Sequence, residues 1–349
     1  MNAGSYNGAG SIQPEAWPVT PTSFVRAADG KSISAEECWG DDVPAPPWRQ
    51  DKHIGRRKSK EQFAMSIIHD ELNKLGIACD GFTVLQDKDG ITVARIARGK
   101  NSYVLKCFQK DEHKRELENY RLLAALGIPT IRVIASTGSA LLLEDIGCSS
   151  IYRLGMQEDM SAPDVARRIA VWYKLLHCRG YGYICRQGES MYDEADFFTL
   201  ENIAFIKEKI GCQDAPAWVL LERHYAAINN QLGKARRTLT YNDFYYTNLV
   251  VAKDNSSALM FDYNLLGKGY AYTDVRNVLS SLSEEAGKAF LDEYGGFEPI
   301  EKALDDVVSV VVTLYQACLR DEMPWWAQAL LDEIDTAFIE KIEYLKSII

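Results

Sequence analysis

The sequence predicts an α+β protein of two lobes, a small antiparallel β-sheet lobe followed by a larger, mainly helical lobe. Residues 81–144 contain short stretches rich in β-branched and aromatic residues, separated by turn-forming residues, which is the pattern of a sheet. From residue 284 onward the apolar residues follow a helical period instead. The chain has 349 residues, more than a single hydrophobic core usually serves. We therefore expect a small lobe over residues 61–144 and a large lobe over residues 145–349.

Residues 1–60 differ in composition from the rest of the chain. They are rich in Gly, Ser and Pro up to about Thr22, and they end in the basic run Arg56-Arg-Lys-Ser-Lys60. One short basic cluster in a chain of net charge -10 is typical of a solvated linker rather than of a nucleic-acid site. We predict a flexible or surface-draped extension and no nucleic-acid partner.

The small lobe is predicted to begin with an amphipathic helix over residues 62–75 and to continue with strands. Residues 81–86 and 91–96 alternate apolar and polar positions around an Asp-Lys-Asp-Gly turn, which indicates a hairpin. Residues 103–108 form a third predicted strand with Lys106 in its middle. A lysine in that position is typical of a strand edge, where the side chain reaches water, unless a carboxylate pairs with it.

Such a carboxylate is available on the next predicted element. Residues 113–126 have helical periodicity and stop at Gly-Ile-Pro. Glu116 near the start of this helix could pair with Lys106, and Glu118 is the alternative partner. Two further strands, residues 131–134 and 139–144, lead to a chain reversal suited to a hinge. We expect the edge of an adenine ring to contact backbone groups of the hinge residues Glu144, Asp145 and Ile146.

Three oxygen-bearing side chains in the second half of the chain predict phosphoryl transfer. Asp243 and Asn248 lie in a loop between the apolar stretches 238–241 and 249–252, and Asp262 follows the next stretch, 258–261. Hairpin geometry would bring all three to one end of the sheet. Phosphoryl transfer needs a carboxylate that accepts a hydroxyl proton and an Asn and an Asp that hold Mg²⁺. The alternative is that these residues only form turns, as Asp and Asn often do.

From about residue 81 to 282 the chain resembles the aminoglycoside phosphotransferase and choline kinase superfamily, which has a protein-kinase-like fold. The family's motifs occur here in the family's order, namely Lys106, the run Arg115–Pro129, the hinge Leu141–Gly147, Leu175-Leu-His177 and the two Asp loops. The resemblance implies transfer of the γ-phosphate of ATP, with Mg²⁺, to a hydroxyl group of a small molecule. It leaves open the acceptor, the choice between ATP and GTP and the oligomeric state.

The resemblance also implies a role for each matching residue. Asp243 would be the catalytic base, and Asn248 and Asp262 would be the metal ligands. Lys106 would contact the nucleotide phosphates, with Glu116 as its ion-pair partner. A catalytically silent protein that binds nucleotide or a partner is the alternative.

Two supporting residues and several departures follow from the same comparison with the family pattern. Asp274 stands where the family has an Asp that opens a helix and braces the catalytic loop. Tyr241 replaces the usual His of a His-Gly-Asp motif, and no Gly follows Asp262. The phosphate-covering turn has only Gly90. Because no Gly follows Asp262, a phosphorylation-regulated activation loop is not expected. His177 is interpreted as a cap that closes a helix over residues 166–177.

The acceptor is expected to carry an amine and to bind the large lobe. Residues 284–349 contain 15 acidic and five basic residues, a field that would attract cations. Candidate acceptor residues are the acidic Asp193, Glu194 and Asp196 and the aromatic Trp325 and Trp326. The acidic residues could instead form a solvated face, and the tryptophans could instead pack in the core.

Composition narrows the class of protein further. Eight cysteines show no C-x-x-C pair and no regular spacing, which favours a reduced protein without structural zinc. The longest mainly aliphatic stretch, residues 307–314, is too short to span a membrane. The N-terminus lacks the basic start and apolar core of a signal peptide. We expect a cytoplasmic protein.

Overall fold

The computed structural model describes residues 62–188 and 190–349, without the side chains of residues 325 and 326. The predicted N-terminal extension, residues 1–60, lies outside the described residues. The described part has the predicted α+β architecture, in which a sheet-containing lobe precedes a mainly helical lobe. The boundaries at residues 60/61 and 144/145 stay predictions.

The small lobe is an antiparallel sheet of five strands preceded by one helix. Helix α1 covers residues 62–75, as the periodicity predicts. The strands lie in the order β1-β2-β3-β5-β4, and the predicted hairpin is the antiparallel pair β1 and β2. Their bounds are Gly81–Lys88 (β1), Ile91–Arg98 (β2), Asn101–Phe108 (β3), Val133–Ser136 (β4) and Ala140–Glu144 (β5).

The two faces of this sheet belong to different hydrophobic clusters. Leu142 packs with the α1 residues Ile68 and Leu72, whereas its neighbours Leu141 and Leu143 belong to the main core of the protein. The alternation follows from the strand period of two. The sheet is therefore covered by α1 on one face and by the rest of the molecule on the other.

Helix α2, Arg115–Ala125, crosses the inner face of the sheet and carries Glu116 in its first turn. A short 3₁₀ turn, Asp111–His113, precedes it. The predicted helix, residues 113–126, is thus confirmed apart from its ends. Gly127 follows the helix with φ of 65°, a left-handed conformation that ends helices.

The large lobe contains eight helices among the described residues. Their bounds are Pro163–Gln187 (α3), Leu200–Ile210 (α4), Pro216–Lys234 (α5), Ala271–Ser281 (α6), Glu284–Tyr294 (α7), Pro299–Cys318 (α8), Trp325–Asp332 (α9) and Ala337–Ile348 (α10). Helix α3 is longer than predicted because it continues through Gly180. A Cβ on Gly180 would lie 2.6 Å from the Cβ of Leu239, so the glycine lets the next strand pack closely against the helix.

Two small sheets at the base of the small lobe position the loops of interest. The predicted hairpin is confirmed as β8, Leu249–Ala252, paired with β9, Ala258–Met260. β6, Tyr152–Leu154, joins the other side of β8. β7, Thr238–Thr240, pairs instead with β10, Gly267–Gly269. Strands β6 and β10 have only three residues each, too few for a periodic signal.

The described residues bear on two further sequence predictions, those on membrane-spanning helices and on cysteines. No helix among residues 62–188 and 190–349 has the length and apolarity needed to cross a membrane. The seven cysteines in the same ranges are all free thiols.

Candidate active site

The loop between β7 and β8 holds Asp243 and Asn248 side by side. A 3₁₀ turn, Tyr246–Asn248, brings the end of the loop back toward its start. The side-chain amide of Asn248 donates to the Asp243 carboxylate at 3.0 Å and to the Asp243 backbone carbonyl at 3.1 Å. The spacing of five residues therefore serves to close this loop on itself.

The surroundings of Asp243 suit a group that accepts a proton near neutral pH. Burial and the nearby charge of Asp262 raise the pKa of Asp243 to about 7, against the lowering effect of the Asn248 amide and of Lys106. A general base works best when its pKa lies near the working pH.

Asp262 lies two residues after the end of β9 and has φ of 61°. This left-handed conformation is uncommon for a residue other than glycine and is retained only where neighbours hold it. The Asp262 carboxylate lies 2.8 Å from the ammonium of Lys106. The C-terminal end of β9 is thus joined to the middle of β3 in the small lobe.

Lys106 contacts a second carboxylate, that of Glu116 on α2. Its Nζ lies 2.7 Å from Glu116 Oε2, whereas the alternative partner Glu118 pairs with Arg121 at 2.6 Å. Burial alone would lower the pKa of Lys106, but the carboxylates of Glu116 and Asp262 raise it above its ordinary value. Lys106 therefore stays charged at neutral pH. Burial raises the pKa of Glu116 to about 7, and the lysine limits the rise.

Asp274, fully buried in the first turn of α6, holds the start of the loop between β7 and β8. Its two carboxylate oxygens accept from the backbone N–H of Tyr241 at 2.8 Å and of Asn242 at 2.9 Å. Asn242 has φ of 64°, so the loop turns sharply just before Asp243. The Tyr241 hydroxyl donates to the backbone carbonyl of Phe261, which links the two Asp loops.

His177 has a different place from the one predicted. It is buried in the middle of α3 rather than at its end, because the helix continues to Gln187. Its Nε2 lies 3.0 Å from Asp274 Oδ2, and its Nδ1 lies 2.7 Å from the Tyr294 hydroxyl. Sequence reasoning missed this supporting role. The motif Leu175-Leu-His177 was the only signal for it, since its partners lie about a hundred residues away.

The hinge residues lie where β5 leaves the small lobe. Glu144 ends β5, and Ile146 begins a short 3₁₀ turn, Ile146–Cys148. The Asp145 carboxylate accepts from Arg95 at 2.8 Å and from Ser102 at 2.6 Å. The Asp145 side chain thus connects the hinge to the sheet. The contacts of the hinge backbone with adenine remain a prediction.

Two of the acidic acceptor candidates, Asp193 and Glu194, line a crevice beside Asn242, and Asp196 is not among its lining residues. Asp193 is buried, Glu194 is half-buried and Asp196 is exposed. The cationic side chains of Arg237 and Lys268 line the same crevice as Asp193 and Glu194. Positive and negative groups therefore lie together there. The side chains of the other acceptor candidates, Trp325 and Trp326, lie outside the described part of the chain.

The oxygen donors present fit Mg²⁺. Because the Asn248 nitrogen is directed at Asp243, the amide oxygen points away from that carboxylate. Asp262 adds a partly exposed carboxylate. Within residues 62–188 and 190–349 no three His, Cys, Asp or Glu side chains form a metal-binding group. Two protein ligands are typical of Mg²⁺ sites that take their remaining ligands from water and nucleotide phosphates.

Residues 84–301 match the model of the phosphotransferase enzyme family. Comparison with curated protein sequences gives no match.

Solved structures share the fold at low sequence identity. Choline kinase LicA from Streptococcus pneumoniae is 11% identical, with a TM-score of 0.55 over 79% of this chain and 98% of that one. Macrolide 2'-phosphotransferase MphH from Brachybacterium faecium is 17% identical, with a TM-score of 0.52 over 76% and 96%. The streptomycin-ATP-APH(2")-IIa complex is 20% identical, with a TM-score of 0.57 over 78% and 97%.

Proposed function

The chain belongs to the phosphotransferase enzyme family, and from that premise we propose that it transfers the γ-phosphate of ATP, with Mg²⁺, to a hydroxyl group of a small molecule. The observation that carries the proposal is the meeting of Asp243, Asn248 and Asp262 with the Lys106–Glu116 pair. These groups supply what phosphoryl transfer requires, a proton acceptor, metal ligands and a cation for the phosphates.

In the proposed mechanism Asp243 accepts the proton of the acceptor hydroxyl as the hydroxyl oxygen attacks the γ-phosphorus, the bond from the γ-phosphorus to the β–γ bridging oxygen breaks, and ADP leaves. Asn248 and Asp262 would hold the metal ion, which would neutralise charge on the phosphates. Lys106 is directed toward the phosphates by Glu116, whose carboxylate lies 2.7 Å from its ammonium. Backbone groups at Glu144, Asp145 and Ile146 bind the adenine edge. Asp274 and Tyr241 keep the two Asp loops in register.

ATP is the proposed donor, with GTP as the alternative. One structural neighbour was solved with ATP and streptomycin bound, which supports ATP by analogy of fold. We place the protein in the cytoplasm, where ATP is abundant. The free thiols of all seven described cysteines agree with a reducing compartment.

The proposed acceptor carries at least one amine, as an aminoglycoside, an amino sugar, choline or an amino alcohol does. The support is the acidic excess of residues 284–349, with 15 acidic against five basic residues. Burial raises the pKa of Glu194 at the crevice to about 7, and a bound ammonium group would favour its ionised form. Asp193 lies beside it, but Arg237 and Lys268 reduce the local negative field.

A phosphotransfer screen tests the proposal. Purified protein is incubated with MgATP or MgGTP and with aminoglycosides, amino sugars, choline, ethanolamine, homoserine and methylthioribose, and acceptor-dependent ADP or GDP is measured. Transfer to an amine-bearing alcohol is expected. Efficient transfer to a neutral or anionic acceptor would overturn the amine requirement alone. Nucleotide binding without transfer to any acceptor would favour the catalytically silent alternative.

A further inference from the structure

Helix α2 contacts the segment after β9 directly, in addition to holding Lys106 through Glu116. Asn119 lies three residues after Glu116 and therefore on the same face of the helix. Its side chain is buried, and its amide Nδ2 donates to the backbone carbonyl of Tyr263 at 2.7 Å. Tyr263 is the residue directly after Asp262. A single helix face thus contacts Lys106 through Glu116 and, through Asn119, the residue that follows the proposed metal ligand.

The left-handed conformation of Asp262 needs such support. Three other contacts fix the same stretch of backbone. The Tyr241 hydroxyl binds the Phe261 carbonyl, the Tyr263 hydroxyl binds the Met260 carbonyl, and the Leu266 N–H lies 3.2 Å from the Tyr263 carbonyl. The contact from Asn119 is shorter than that from Leu266, and it comes from the helix that also carries Glu116.

Ring packing reinforces the same junction. The rings of Tyr120 and Tyr263 meet edge to face with centroids 4.8 Å apart. At the start of the helix, Arg115 donates to the Asn264 side chain at 3.3 Å. Asn119, Tyr120 and Arg115 of α2 therefore all contact residues 263 and 264, and Asn119 is the one that binds the Tyr263 carbonyl.

We propose that Asn119 is a positioning residue that holds the Asp262 carboxylate in place for the metal ion. The inference rests on the proposed function, in which Asp262 is a metal ligand. Loss of the amide would leave the Tyr263 carbonyl with the longer bond from Leu266, so the backbone that sets the Asp262 conformation would loosen. Partners that orient a metal ligand typically account for a 10- to 100-fold difference in metal affinity.

Binding of Mn²⁺, measured by electron paramagnetic resonance in the presence of ADP, tests this role without using activity. Asn119→Leu keeps the approximate size of the side chain and removes the donor. We expect Mn²⁺ to bind it at least about 10-fold more weakly than the wild type, while ADP binding without metal changes less than about twofold. Should Asn119→Leu fail to fold, Asn119→Ala serves the same comparison.

A matched control is available on α4. Asn202 donates its side-chain amide to the backbone carbonyl of Phe197 at 2.9 Å, and neither residue contacts the proposed metal ligands Asn248 and Asp262 through this bond. Asn202→Leu removes an equivalent bond and should leave Mn²⁺ affinity unchanged. An equal loss in both variants would mean that the effect is one of general stability, which would overturn the positioning role.

Asp262→Ala separates the inference from the function on which it rests. If Asp262→Ala binds Mn²⁺ as the wild type does, the metal assignment itself is wrong. If Asp262→Ala loses Mn²⁺ affinity and Asn119→Leu keeps it, only the role of Asn119 is overturned.

Discussion

The side-chain amide of Asn248 donates a hydrogen bond to the carboxylate of Asp243 at 3.0 Å. A proposed metal ligand thereby orients the proposed base. Because an amide has one nitrogen and one oxygen, directing the nitrogen at Asp243 leaves the oxygen for a cation. The loop between β7 and β8 is therefore held in shape by its own residues.

Asp262→Ala should abolish the extra thermal stability that MgATP confers. A ligand at about 100 times its dissociation constant stabilises the folded state by about 2.7 kcal/mol, and in the proposed site the metal links Asp262 to the phosphates. Thermal melts with and without MgATP measure the effect. Asp254→Ala, at an exposed position in the β8–β9 turn, is the control and should keep the full shift. Equal shifts in all three proteins would show that Asp262 holds no metal.

Lys106→Met should lower kcat/KM by about 100-fold or more and keep the fold. Loss of a preorganised charge at a transition state commonly has an effect of this size. Methionine fills a similar volume, and Glu116 without its lysine would take up a proton, since burial already raises its pKa to about 7. The measurements are steady-state kinetics and circular dichroism.

Lys74→Met is the matched control for that variant. Lys74 also lies 2.7 Å from a buried glutamate of the small lobe, Glu71, but away from the proposed site. The kcat/KM of Lys74→Met should equal that of the wild type. Unfolding of Lys106→Met with no specific kinetic defect in a folded fraction would mean that Lys106 serves packing only.

Glu194→Gln should stabilise the protein at pH 8 and not at pH 4.5. Burial, with the nearby Asp305 and Asp274 opposing Arg276, raises the pKa of Glu194 to about 7 from an ordinary 4.5. Between these values the folded state retains a proton that the unfolded state has lost, so wild-type stability falls as pH rises. Glutamine removes this dependence.

The melting temperature of Glu194→Gln relative to the wild type should therefore increase by about 2 °C between pH 4.5 and 8. Glu201→Gln, which removes an exposed carboxylate nearby, should show no such increase. If the melting temperatures of Glu194→Gln and the wild type differ by the same amount at every pH between 4.5 and 8, the raised pKa of Glu194 is contradicted.

The sequence predicted the small lobe well because its signals are local. The turn before Ile91 and the alternation of each strand define hairpins without distant information. The extent of α3 was missed because glycine is unfavourable inside a helix. Here Gly180 lies within α3 and allows close packing against Leu239. The partners of His177 could not be predicted, because Asp274 and Tyr294 meet it only in the folded chain.

In the candidate site, motif order suggested the residues that are proposed to carry the chemistry, whereas it gave no signal for several residues that contact them. Asn119 has no sequence signature beyond its place three residues after Glu116. The crevice beside Asn242 brings Asp193 and Arg237 together from distant segments, so its mixed charge was not predictable from the acidic composition of the last 66 residues.

The most direct test of the proposed chemistry is the single-turnover rate of γ-phosphate transfer in Asp243→Asn. Asparagine keeps the size of the side chain and cannot accept the hydroxyl proton. We predict a rate at least about 100-fold below that of the wild type, ATP affinity within about twofold, and a wild-type rate for the control Asp254→Asn. A rate in Asp243→Asn equal to that of the wild type would contradict the assignment of Asp243 as the base.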